Sequence, residues 1–105
     1  MHKYFQDKIA GYYLYYTKHC IIECMHAHAS DRRLTESGSA KFFVKSDGST
    51  VVQNRGTLTD IQIRKIQKYI KTHYLEMYEM WSVDSDTGFY SEQSKTPLQA
   101  TGYQA

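Results

Sequence analysis

Ser39-Ala40-Lys41-Phe42-Phe43-Val44-Lys45-Ser46-Asp47-Gly48-Ser49-Thr50-Val51-Val52-Gln53-Asn54 decides the fold of this chain. Two β-rich runs flank Ser46-Asp47-Gly48. In the first, Ala40, Phe42 and Val44 share one face and Lys41, Phe43 and Lys45 the other, because strand side chains alternate. Asp-Gly between such runs predicts a β-hairpin with a type I′ turn, which needs positive φ at both central residues.

Working outward toward the C-terminus, Arg55-Gly56 turns the chain into one long helix. Thr59 is suited to the N-cap, Gln62 stands at the capping-box position, and Leu58 can pack on Ile63 as a hydrophobic staple. Ile63, Ile66, Ile70, Tyr74, Met77 and Trp81 recur at three- and four-residue steps and predict a core-facing stripe. Arg64, Lys65, Lys68 and Lys71 fall mainly off that stripe and read as a solvated face. Ser82 to Tyr90 is expected to fold back. Residues 91–105 lack any period and are expected to be a disordered tail.

Working outward toward the N-terminus, Ser30 to Ser39 is a polar connection. Before it, Cys20-Ile21-Ile22-Glu23-Cys24-Met25-His26-Ala27-His28-Ala29 reads as a strand, with an interruption signalled at Glu23. Ala10 to Thr17, rich in tyrosine, reads as another strand, and residues 1–9 as a lead-in or a single helical turn. These elements predict one α+β domain over residues 1–90: an antiparallel sheet of about four strands with the C-terminal helix packed across one face.

The 105 residues suffice for one core and not two. Ten tyrosines against one tryptophan supply rings that build a core while offering polar tips for contact. The net charge of +2 is too small to require a nucleic-acid partner. The longest apolar runs are a few residues, so no membrane or export segment is expected, and the location expected is the cytoplasm.

The chemistry concentrates in Glu23-Cys24-Met25-His26-Ala27-His28. Two histidines two apart on a strand share a face at about 6–7 Å and can meet one metal, one phosphate or one proton path. Cys20 and Cys24 would lie about 13 Å apart in a straight strand, beyond disulfide reach, which favours thiols in a reducing compartment. A straight strand also spreads Cys20 to His28 over about 26 Å, leaving only His26 and His28 to share an ion. Further ligands would come from residues such as Asp31, Glu36 or His73, and the spacing selects none. No cofactor is therefore assigned.

An enzyme would use His26 and His28 as catalytic acid and base in RNA cleavage, with Lys41 or Arg33 holding a phosphate. No nucleophile or second carboxylate is tied to the pair by spacing, so the reading leans away from catalysis. A contact surface would instead draw on Arg32, Arg33, Lys41, Arg55, Tyr13 and Tyr15, as phosphate-binding and stacking groups or as a protein interface.

Tyr12-Tyr13-Leu14, Met25-His26-Ala27-His28, Ser39-Ala40-Lys41-Phe42-Phe43-Val44, Asn54-Arg55-Gly56, Ile66, Ile70, Trp81 and Gly88-Phe89-Tyr90 together resemble the bacterial family known as domain of unknown function 4160. The resemblance spans roughly residues 8–90. It implies a small bacterial protein without an established activity, from a family often encoded beside another short gene, which invites a toxin–antitoxin reading. Where relatives commonly carry prolines before the histidine pair, this chain has Glu23, Cys24 and Met25. Residues and resemblance together predict a small cytosolic binding or regulatory protein. Its expected partner is a protein, with nucleic acid and self-association left open. The alternatives are a histidine-dependent ribonuclease and a metal-binding protein using the His26/His28 pair.

Overall fold

A computed structural model describes residues 2–18, 20–31 and 39–91. The polypeptide runs through β1 (His2–Lys3), β2 (Tyr13–Tyr16), a 3-10 turn (Cys20–Ile22), β3 (His26–Ser30), β4 (Ala40–Val44), β5 (Thr50–Asn54) and α1 (Asp60–Asp84). The strands form one antiparallel sheet in the order β1-β2-β3-β4-β5. This is the expected α+β architecture with a fifth strand. The extra strand is β1, where the lead-in pairs with β2 through His2↔Tyr16 and Lys3↔Tyr15.

The link between these two strands tightens at Ile9 and Tyr12, whose backbones exchange hydrogen bonds of 2.7 and 3.0 Å. Ala10 and Gly11 between them have φ of 54° and 91°. The β4–β5 hairpin turns differently. Gly48 has φ of 87°, Asp47 does not enter the positive-φ region, and the closing bonds are Gly48 N–H to Lys45 O and Lys45 N–H to Ser49 O. A loop of this length uses an ordinary turn followed by one left-handed glycine, and only Gly48 needs the left-handed conformation. The two-residue turn with both φ positive, expected at Asp47-Gly48, occurs instead at Ala10-Gly11.

The helix begins as its residues dictate. The Thr59 hydroxyl accepts the Gln62 N–H, and the Gln62 side chain accepts the Thr59 N–H, satisfying two otherwise orphaned donors. Leu58 and Ile63 both enter the core, as do Ile66, Ile70, Met77 and Trp81. Their sheet counterparts are Leu14, Tyr16, Ala27, Ala29, Ala40, Phe42 and Val44. Alanines at the centre of the sheet leave room for the larger helix side chains, as dense interior packing requires. Gly88–Tyr90 folds back as expected: Gly88 O accepts the Met25 N–H, Tyr90 N–H donates to Val44 O, and the Tyr90 ring stacks on Phe43 at 4.5 Å.

Among the described residues, no helix is long and apolar enough to cross a membrane. Of the tail expected at 91–105, residues 92–105 lie outside the described residues.

Candidate functional site

Cys20 to His28 is not one strand. After β2 the chain makes the 3-10 turn at Cys20–Ile22 and enters β3 only at His26. Glu23 N–H closes the turn onto Cys20 O at 2.9 Å, and the Ser85 hydroxyl donates to Ile21 O at 2.5 Å, holding the turn beside the end of α1. Cys20 is therefore not separated from the histidines by the length of a straight strand, contrary to expectation. The turn doubles the chain back, and the ligand atoms of Cys20, His26 and His28 all lie within 4.8 Å of one another. All three residues are buried. Neither cysteine forms a disulfide.

The histidines occupy the face shared by their cross-strand partners, His26 opposite Phe43, and His28 opposite both Lys41 and Tyr15. The His26 ring meets His28 edge-on at 5.0 Å, Trp81 at 5.4 Å and Phe43 at 5.7 Å, while His28 lies 5.6 Å from the Tyr15 ring. The Tyr4 hydroxyl fixes the backbone by donating to His26 O at 2.9 Å.

The tautomer of His26 follows from its contacts. Nδ1 lies 2.8 Å from the Cys24 carbonyl, and a carbonyl only accepts, so Nδ1 carries a proton. In the neutral ring Nε2 then bears the lone pair, and that buried atom has no hydrogen-bond partner. Burial pushes the His26 pKa down from 6.5 to about 4; the Cys24 carbonyl opposes this, while the charges of Lys41 and His28 add to it. The ring is therefore neutral at pH 7. Burial, reinforced by the Glu23 carboxylate, raises the Cys24 thiol.

Glu23 and Lys41 edge this centre. Lys41 Nζ donates to Glu23 Oε1 at 2.5 Å, and the same oxygen lies 3.7 Å from His26 Nδ1. Lys41 is thus committed to a neighbour rather than presented to a phosphate. Tyr15 is wholly buried, its hydroxyl 2.6 Å from Ser39 Oγ. Tyr13 is half-buried beneath the ammonium groups of Lys3 at 4.2 Å and Lys8 at 5.3 Å. Arg55 is exposed and paired with Asp60.

Of the expected contact set, Tyr15 is thus withdrawn from the surface, and Arg32 and Arg33, like the candidate ligand Glu36, lie outside the described residues. Of the other ligands considered, Asp31 is exposed, and His73 stacks on Tyr69 at 4.0 Å, with Nδ1 2.9 Å from Tyr69 O. The residue that sequence reasoning set aside is Cys20. The signals that bring it back are the Lys18-His19 break and the acidic Glu23, which interrupt the apparent strand on both sides of Cys20–Ile22.

No family model, curated protein or solved structure matches the chain.

Proposed function

We propose that this chain is a small binding or regulatory protein acting through a macromolecular partner, in preference to a histidine-dependent ribonuclease. The supporting observation is the burial of the histidine pair: His26 is 0% and His28 4% exposed. General acid–base catalysis needs a ring nitrogen within about 3 Å of the reacting proton. A phosphodiester on an RNA strand does not reach that distance past Tyr15, Phe43 and Trp81.

The outer surface supplies a contact region in its place. Met80 and Val83, on the last turns of α1, are solvent-exposed and line a shallow depression of about 450 Å³ with His2, Lys3, Tyr16 and Asp84. A smaller one, bounded by His2, Lys18, Ile21 and Asp84, adjoins it. Apolar side chains rimmed by charge suit a protein interface. On the resemblance to the uncharacterised bacterial family, the partner is the product of a neighbouring short gene in a toxin–antitoxin-like pair.

Co-expression with that product, followed by size-exclusion chromatography, tests the reading. A stable complex that is lost in Val83→Asp supports it. RNA cleavage by the purified chain, abolished in His28→Ala, would sink it.

A further inference from the structure

We propose that Cys20, His26 and His28 are the protein ligands of a single zinc-class cation, bound between the 3-10 turn and β3 with one coordination position left to a water or an external donor.

Three observations converge on this site. The first is proximity. Ligand atoms of Cys20, His26 and His28 lie within 4.8 Å of one another. Zinc–nitrogen bonds of about 2.0–2.1 Å and zinc–sulfur bonds of about 2.3 Å place tetrahedral ligands roughly 3.3–3.6 Å apart. The ligand atoms therefore stand at most about 1.2–1.5 Å further apart than tetrahedral coordination requires, a distance within the reach of side-chain rotation.

The second is the state of His26. Its Nδ1–H is held by the Cys24 carbonyl at 2.8 Å, and its buried Nε2 lone pair has no hydrogen-bond partner. A carbonyl on the remote nitrogen is how metal-ligating histidines are oriented and made more basic. An aromatic cluster accounts for the ring's packing against His28, Phe43 and Trp81, yet leaves that lone pair buried and unsatisfied, which is unfavourable. A cation satisfies it.

The third is the setting of the sulfur. The Thr17 N–H donates to Cys20 Sγ at 3.3 Å, and the Thr17 hydroxyl lies at the same distance. Hydrogen bonds of this kind behind a donor atom orient metal ligands.

One thiolate and two imidazoles select a borderline-soft ion such as zinc over magnesium or calcium, which require several oxygen donors. Glu23, the nearest carboxylate along the chain, is engaged by Lys41 and lies outside the ligand set.

The test begins with chelator-treated wild-type protein titrated with Co²⁺ as a spectroscopic substitute, then with Zn²⁺. The expected result is one equivalent of cobalt giving intense tetrahedral visible bands and a thiolate-to-metal charge-transfer band, both erased by zinc, with a zinc-dependent rise in Tm. Cys20→Ser removes the charge-transfer band. His26→Asn, which keeps an amide donor for the Cys24 carbonyl but lacks Nε2, weakens affinity by at least about tenfold. Cys24→Ser leaves the spectrum unchanged, since Cys24 contributes only its carbonyl.

Absence of a cobalt band in the wild type, or a charge-transfer band that persists in Cys20→Ser, overturns the proposal. Should the variants fail to fold, X-ray absorption on zinc-loaded wild type decides: one sulfur with two or three nitrogen or oxygen neighbours supports the site, and a shell without sulfur refutes it.

Discussion

Acid should destabilise this protein through His26. The folded state holds the His26 pKa near 4, chiefly because burial disfavours the charged ring, whereas the unfolded chain returns it to about 6.5. The unfolded state therefore binds the proton first, and stability falls as pH drops. The contribution is fully present above the unfolded value, is lost progressively between about pH 6.5 and pH 4, and is constant below that. By linkage the loss is about 2 kcal/mol between pH 7.5 and pH 5, and about 3 kcal/mol once both states are fully titrated.

The assay is urea unfolding of chelator-treated protein from pH 7.5 to pH 5, wild type against His26→Asn, which keeps an amide donor near the Cys24 carbonyl but does not titrate. The wild-type curve should fall more steeply by about 2 kcal/mol. Parallel curves would refute the reasoning. So would a His26 ring-proton resonance in the wild type that titrates near 6.5, a measurement that needs no variant.

Four further outcomes follow from local geometry. Gly48→Ala should destabilise by about 1–2 kcal/mol from its left-handed φ alone, and by more because the new Cβ would stand 2.6 Å from Tyr74 Cδ1; a chemical-denaturation series that includes Tyr74→Ala should recover the steric part. Ala10→Gly should stabilise by about 0.5–1 kcal/mol, since φ of 54° strains an alanine and the gain exceeds the entropy returned to the unfolded chain; an unchanged or lowered urea midpoint would contradict this. Thr59→Ala should cost about 1 kcal/mol by removing the cap on Gln62 N–H, read as a lowered urea midpoint. Lys41→Gln removes a charge that depresses the His26 pKa, so the His26 resonance should titrate at higher pH than in the wild type.

The helix and the β4–β5 hairpin were legible in the sequence because their determinants are local. Thr59, Gln62 and the staple lie within one turn of each other, and the Ile63-to-Trp81 stripe repeats at a single period. Side-chain alternation likewise gave the shared face of His26 and His28. The turn geometry at Gly48 was less legible, since Asp-Gly suits more than one loop length and the strand register, not the dipeptide, chooses between them. The extra strand β1 was missed because two residues carry no period, and their pairing is set by the distant Tyr15 and Tyr16.

The sequence by itself determined an α+β chain with one capped helix, a hairpin and a histidine pair on one strand. Only the tertiary structure decided that the pair is buried and that Cys20 joins it. Burial depends on Tyr15, Phe43 and Trp81 closing over the rings. Cys20 is placed by a 3-10 turn that Ser85, sixty-four residues away along the chain, helps hold through Ile21 O. Periodicity reports how a segment repeats along its own axis. It carries no information about where an irregular turn sends the chain, because that direction is set by hydrogen bonds to residues remote in sequence.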